Sequence, residues 1–328
     1  MEKIHTIMTH HCPHFDEMLA IAMLIECGER MYPGAATAKI TFCDAGGKTP
    51  DGRSWKKWHE EGTLLIGVGG SCFDEHPTED AERKEAECAA TLVAKHLGID
   101  QEPWLQKLLK YAVTNDTKGG NNPFDLAAMV TLMNKRWGDT NPIGVVDWAI
   151  QAILVYLENQ INFFTKTKED FDKCSEVFNG THRGRNIVIA VVTGDNDQLG
   201  AYARSMTGAN ADVVIQQQTT GNVIITTKKI SNINLDEVIK ALRFNEMRFK
   251  NIPCNQRNPE LAKEGVVEGA EEWYYHRPAN QILNGSKSAK DVPPTRIYLK
   301  TIVKIVKGCL SEITIGSAKQ ENRERVRV

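Results

Sequence analysis

The first seventeen residues constrain this chain more than any other stretch. Residues 4–17 read Ile-His-Thr-Ile-Met-Thr-His-His-Cys-Pro-His-Phe-Asp-Glu, an apolar run that ends in a packet of polar side chains. Ile4–Thr9 predicts a strand. Phe15–Glu29, with its acidic opening and long apolar body, predicts a helix. A strand, a short loop and a helix in that order belong to an open, mostly parallel sheet, where ligands gather at the carboxyl ends of strands. His10, His11, Cys12, His14 and Asp16 fall at that end. Four of the nine histidines lie within the first fourteen residues. A tag remnant does not account for them, because Pro13 and Asp16 are interior to the packet and lead straight into the apolar helix.

The alternation continues. Ala38–Cys43 and Leu64–Val68 predict strands, the second running into Gly69-Gly70, and Ala81–Leu97 and Pro103–Val113 predict helices. Residues 144–176 carry few helix breakers and read as mostly helical. After Asn179-Gly180 the pattern changes. Asn186–Val192 predicts a strand, Gln198–Met206 a helix, Asp212–Gln217 and Asn222–Thr227 a hairpin, and Leu235–Leu242 a helix. Residues 245–272 read as a charged, irregular loop, and Ala318–Val328 as a polar end. The expected architecture is α/β: an N-terminal mostly parallel sheet with flanking helices over 1–140, a helical connector over 141–180, and a smaller C-terminal α+β domain over 181–328.

Bulk properties narrow the function classes. A chain of 328 residues supplies two cores. A formal net charge of -2 gives no overall attraction to polyanions, so contact with nucleic acid has to be local. The eight cysteines are scattered without a CxxC pair and, with no signal peptide in view, read as reduced thiols of a cytoplasmic protein. The most apolar stretch, Ile143–Leu157, is interrupted by Asp147 and is too short to span a membrane.

Imidazole and carboxylate are the ligands that suit Mn²⁺, Zn²⁺ and Fe. At a strand-to-helix turn, His10, His14 and Asp16 are expected to converge on one cation; a hydrogen-bonded polar cluster at a sheet end is the alternative. Near the other end of the chain, His276-Arg277 and the Gly-centred loop Asn284-Gly285-Ser286-Lys287 offer amide, hydroxyl and ammonium donors that suit a phosphate. Their alternative is a hairpin loop braced by Trp273–Tyr275. Arg204 is a candidate second anion contact or a surface residue. Trp55 and Trp58 either stack on bases or pack against the protein.

Three further pieces complete a pattern: Leu64–His76 (Leu-Leu-Ile-Gly-Val-Gly-Gly-Ser-Cys-Phe-Asp-Glu-His), Thr114–Thr117 (Thr-Asn-Asp-Thr) and Trp273–Ser286. Taken in order with the opening packet, they resemble the DHH phosphoesterase superfamily, which includes RecJ nucleases, nano-RNases and family II inorganic pyrophosphatases. The Thr-His…His-x-Asp-Glu opening and the Val-Gly-Gly before a DHH-like triplet are most similar to the Myg-type (melanocyte proliferating gene protein) exonuclease branch. The resemblance covers roughly the first 120 residues well and the C-terminal part loosely.

The resemblance implies a metal-dependent hydrolysis of a phosphodiester, with Mn²⁺ the first choice and Mg²⁺, Zn²⁺ or Fe as others. It places His10, His14, Asp16, Glu75 and Asp116 among the metal ligands, and Asp74 and His76 in catalysis, His76 touching the phosphate or protonating the leaving oxygen. For the Asp74–His76 triplet the plainer reading is helix capping, and for Asp116 an Asx turn before Gly119-Gly120. One position departs from the family. The third-strand aspartate that bridges two metals stands here as Gly67, which leaves the number of ions open, and Asp44 after the second strand is the candidate substitute. With that carboxylate missing, the alternative function is a non-catalytic nucleotide- or RNA-binding module. The expected partners are a nucleotide or short single-stranded nucleic acid, held between the two domains, and a second copy of the chain in a homodimer; no membrane is involved.

Overall fold

The computed structural model describes residues 3–76, 87–119, 122–285 and 289–310. The chain divides into two units, Met1–Phe164 and Thr165–Val328. The architecture is mixed α/β, with a parallel three-stranded sheet and its helices in the first unit and a separate, larger sheet in the second.

In the first unit β1 (Thr6–His10) lies between β2 (Lys39–Cys43) and β3 (Thr63–Leu65), parallel to both, with Thr6 in register with Lys39 and Thr63. All three strands therefore end on one edge. The two faces of β1 are covered differently. Ile7 enters the main core, while Met8 joins Cys43, Leu65 and Val68 over Trp55 and Trp58. The two tryptophans, both carried by the short helix α2 (Trp55–Glu60), thus pack against the sheet. β3 stops at Leu65, short of the expected Val68. Gly67, Gly69 and Gly70 all take positive φ (66°, 73° and 61°), where an L side chain is disfavoured, and turn the chain back on itself.

Helix α1 (Phe15–Cys27) is the unit's centre. Met18 to Leu24 are completely buried. A helix apolar all round can be stable only when it is enclosed, and α1 is packed by α3 (Ala89–Leu97), α4 (Gln106–Lys118), α5 (Leu126–Trp137) and α6 (Pro142–Phe164). Each large apolar side chain buried there contributes about 1.5–3 kcal/mol. The expected helical connector over 141–180 is not a separate element. Its first part is α6, whose Val145, Val146, Ala149, Ile150, Ile153 and Leu157 complete the first unit's core. Its second part, α7 (Lys166–Cys174), and the strand β4 (Ser175–His182) belong to the second unit. The apolar stripe on α6 is core, so the boundary falls at Phe164.

The second unit carries a six-stranded sheet in the order β4, β5 (Arg185–Thr193), β6 (Val213–Gln217), β7 (Val223–Thr227), β9 (Gln281–Leu283), β8 (Tyr274–His276). Only β5 and β6 are parallel; α8 (Leu199–Arg204) connects them. β6 and β7 form the expected hairpin. Helices α9 (Asp236–Phe249) and α10 (Leu299–Leu310) pack beside each other over Ile215, Ile225 and Tyr275. The irregular segment before β8 is tied down by one buried cation. Arg243 on α9 donates to the carbonyls of Leu261 (2.9 Å), Lys263 (2.7 Å), Gly265 and Trp273 (3.0 Å). Among the described residues, no helix is long and apolar enough to cross a membrane.

Candidate metal centre

Where the three parallel strands end, loops and helix starts bring acidic and imidazole side chains together. His10 is the last residue of β1 and is buried, and its Nδ1 lies 2.7 Å from the carbonyl oxygen of His11. Its Nε2 sits 3.3 Å from Oε1 of Glu17. His14 precedes α1, and its backbone N–H donates to Oε2 of Glu17 at 2.7 Å, so the same carboxylate caps the helix and meets the imidazole. His10, His14 and Glu17 each offer a ligand atom within 4.8 Å of the others.

Asp16 does not join them. Adjacent helical residues project about 100° apart, and Asp16 points the other way, into a second group with Glu75 and Asp116 on the same 4.8 Å scale. The expected trio His10, His14 and Asp16 is therefore split between two neighbouring groups, and Glu17 takes the place assigned to Asp16. Asp116 lies within the last turn of α4, not after that helix as the sequence reading had it. Asp44 is exposed and stands outside both groups, beside His11 on a cavity behind β2. His11 stacks on Phe42, and the thiol of Cys12 sits against Gly138 at the end of α5. Neither is in a ligand group.

Glu75 is delivered by the glycine turn. Gly67 N–H donates to the carbonyl of Phe73 at 2.9 Å, and Gly70 N–H to Oδ2 of Asp74 at 2.8 Å. That loop buries Glu75 while its neighbour His76 stays at the surface. Asp74 holds the imidazole, its Oδ1 2.9 Å from Nδ1 of His76, and also accepts from the His76 backbone N–H at 3.1 Å.

The electrostatics follow from crowding buried charge. Burial, then the charges of Glu17, Glu75 and Asp116, pushes the Asp16 carboxyl well above the usual range. Burial, assisted by Glu17 and Asp116, pushes Glu75 up to about 7. Burial alone would also raise Glu17, but the hydrogen bond and charge of His10, with the charge of His14, outweigh it and hold Glu17 low. His10 is its counterpart: burial pulls its pKa down, and Glu17 more than restores it.

Three carboxylates this close raise one another's proton affinity, and a divalent cation between them removes that cost. The residues present fit such a cation. Oε2 of Glu75 is buried and has no hydrogen-bond partner among the described residues, on a side chain only 2% exposed. Oxygen and imidazole donors without thiolate suit Mn²⁺, Fe or Zn²⁺ over softer metals. Beside Asp16 and Asp116 a cavity of about 470 Å³ opens, lined also by His14, Asn115 and Leu132.

The residues expected to grip substrate in the second unit are dispersed. Asn284 is fully buried and spends its amide on the carbonyls of Glu272 (3.1 Å) and Pro293 (2.9 Å) and on the N–H of Thr295 (2.9 Å). Here the amide braces the fold. Gly285 takes φ 79° against Asn222; Ser286 and Lys287 lie outside the described residues. Arg204 is half-buried and donates to Thr226 of β7. His276 ends β8. Arg277 donates to the carbonyl of Ala262 at 2.7 Å, meets Asp236 at 3.3 Å, and lines a cavity of about 270 Å³ with Lys228 and Lys229.

Sequence reasoning overlooked Glu17. The available signal was an acidic residue in the first turn of a helix with no polar face to expose it. No protein-family model matches this chain, and no curated protein matches it. A solved structure described as that of an uncharacterized protein from Helicobacter pylori G27 aligns over 94% of this chain and 99% of its own, at 10% identity and a TM-score of 0.27.

Proposed function

We propose that this chain is a metal-dependent phosphoesterase of the DHH type, acting on a nucleotide or a short oligonucleotide. The observation that carries the reading is that two adjacent donor groups lie at the carboxyl ends of parallel strands, one holding a buried carboxylate oxygen with no hydrogen-bond partner among the described residues. The order of the sequence motifs along the chain supports it. His10, His14 and Glu17 would hold one divalent cation, and Asp16, Glu75 and Asp116 a second, with Mn²⁺ the first choice. Bound there, such ions supply charge neutralisation for the phosphate and an activated water.

The chain's own side chains supply the rest. His76 is fixed through Nδ1 by Asp74, which leaves Nε2 to contact the phosphate or deliver a proton to the leaving oxygen. The cavity beside Asp116 has room for the nucleoside part, with Asn115 as a polar contact and Leu132 as an apolar wall. Within the second unit, taken by itself, Arg277 lines a cavity with Lys228 and Lys229 and is the remaining candidate for a phosphate contact there. The cytoplasm is the proposed compartment, supported by eight cysteines that all stand as free thiols.

Purified protein is assayed with Mn²⁺, Mg²⁺, Zn²⁺ and Fe²⁺ on a dinucleotide, an oligonucleotide and a model phosphodiester. The expected result is Mn²⁺-dependent release of mononucleotide. Metal uptake with no turnover on any of the three would overturn the enzyme reading in favour of a nucleotide- or RNA-binding module.

A further inference from the structure

We propose that Glu17 is a metal-binding carboxylate of this centre, and that it fills the space in front of Gly67, a position whose positive φ already favours glycine. The inference rests on the metal-centre reading above and names a ligand that the sequence motifs do not assign.

Three observations carry it. First, a β-carbon built on Gly67 would stand 2.9 Å from both Cγ and Oε1 of Glu17, closer than real β-carbons approach anything. Second, the Glu17 side chain is 2% exposed, so its carboxylate cannot relax into water, and its Oε1 lies 3.3 Å from the buried imidazole of His10. Third, the neighbouring group holds Oε2 of Glu75, buried and without a hydrogen-bond partner among the described residues, so Glu17 borders a centre with an unsatisfied buried acceptor. An acidic residue in the first turn is favoured by the helix N-terminus, but a capping role alone asks only for one oxygen on a backbone N–H. Glu17 gives Oε2 to that role and turns Oε1 inward. The strand-end position that carries no side chain and the helix position that carries one are complementary: one carboxylate fits there, and it comes from α1.

The test is calorimetric titration of the full-length protein with Mn²⁺ alone and Zn²⁺ alone, with elemental analysis of the loaded protein. Glu17→Gln keeps an amide oxygen for the cap but loses the charge. It should weaken one binding step by more than the roughly 10–100-fold typical of losing an outer-shell partner. Gly67→Ala retains Glu17 but drives a methyl into its place and should weaken the same step. Glu17→Ala with Gly67→Asp moves the carboxylate from the helix to the strand end, at a φ that Asp tolerates better than most residues. This double variant should bind more tightly than Glu17→Ala alone. Circular dichroism confirms that each variant is folded.

If Glu17→Gln takes up both metals as tightly as the parent while Asp116→Asn loses a step, Glu17 is not a ligand and only this inference fails. If the folded double variant gains nothing over Glu17→Ala, the account of Gly67 is overturned. If the parent takes up neither metal, the metal-centre reading falls and this inference with it.

Discussion

The carboxylate of Glu17 fills the volume in front of Gly67, with its Cγ and Oε1 both 2.9 Å from where a β-carbon on that glycine would lie. A residue of α1 and a residue just beyond β3, fifty positions apart, are thereby made dependent on each other. By sequence, position 67 lacks the carboxylate that the resemblance places there, and Asp44 is the candidate substitute. Asp44 is exposed and outside both donor groups; the acidic side chain at that place is Glu17.

Asp116→Asn should remove about one equivalent of bound metal. Asp116 closes the group formed with Asp16 and Glu75, and an amide is a poorer ligand than a carboxylate by a full charge. Elemental analysis of the purified variant checks this. Full metal content in a folded variant would mean that the cation sits elsewhere.

His76→Gln should lower turnover about 10²–10⁴-fold, the range for loss of a positioned general acid, while metal content stays at the parent's level. The imidazole is exposed and, among the described residues, is held by Asp74 and Glu75, so the fold of those residues does not depend on it. The loss should fall on kcat. An unchanged kcat with a raised KM would reassign His76 to binding.

Manganese should raise the melting temperature of protein first stripped with a chelator. A ligand at 100 times its Kd that binds only the folded state adds about 2.7 kcal/mol. Differential scanning calorimetry should show the shift in the parent and a smaller one in Asp116→Asn. Equal shifts in both would argue for adventitious binding.

His59 should make the protein less stable in mild acid. Its ring stacks on Tyr32 at 5.4 Å, its Nε2 is buried without a hydrogen-bond partner among the described residues, and burial, then the charge of His96, holds its pKa below the ordinary 6.5. The unfolded chain therefore takes this proton at a higher pH than the folded one. The contribution of His59 is complete above pH 6.5 and is lost as pH falls from there toward the folded pKa. Buried carboxylates with raised pKa values work in the opposite direction, so the comparison is between variants. Denaturant titrations of parent and His59→Gln at about pH 7.5 and about pH 5.5 should show the parent losing more stability than the variant. Parallel losses would contradict this.

Asn284→Ala should destabilise the second unit by about 2–4 kcal/mol without touching metal content. It would strand the buried carbonyl of Glu272, at about 1–3 kcal/mol for a buried unpaired group, and take a partner from the carbonyl of Pro293 and the N–H of Thr295, which are closer to water and cost less. Chemical denaturation followed by circular dichroism measures it. A stable variant with weakened nucleotide binding would restore the phosphate-gripping role expected from sequence.

Local patterning determined a good deal on its own. Period-two and period-3.6 apolar spacing located β1, β2, α1, β5 and the β6–β7 hairpin to within a few residues, because burial of a side or a face writes itself into neighbouring positions. The packet from His10 to Asp16 marked the strand end where two donor groups gather, because ligand-type residues are concentrated there between two buried elements. Other features depended on distance in space. Whether α6 links two domains or fills one core was undecidable from its apolar stripe, since both uses need the same pattern. Asn284 looked like a phosphate donor because a free amide and a saturated one have the same sequence; only the three backbone groups around it, 9 to 12 residues away in sequence, tell them apart. The division of Asp16 and Glu17 between two donor groups was fixed by the helical rotation between them and by what the loops of β1, β3 and α4 place on each side. Sequence determined which ligand types are present at the strand ends; packing decided which of them meet.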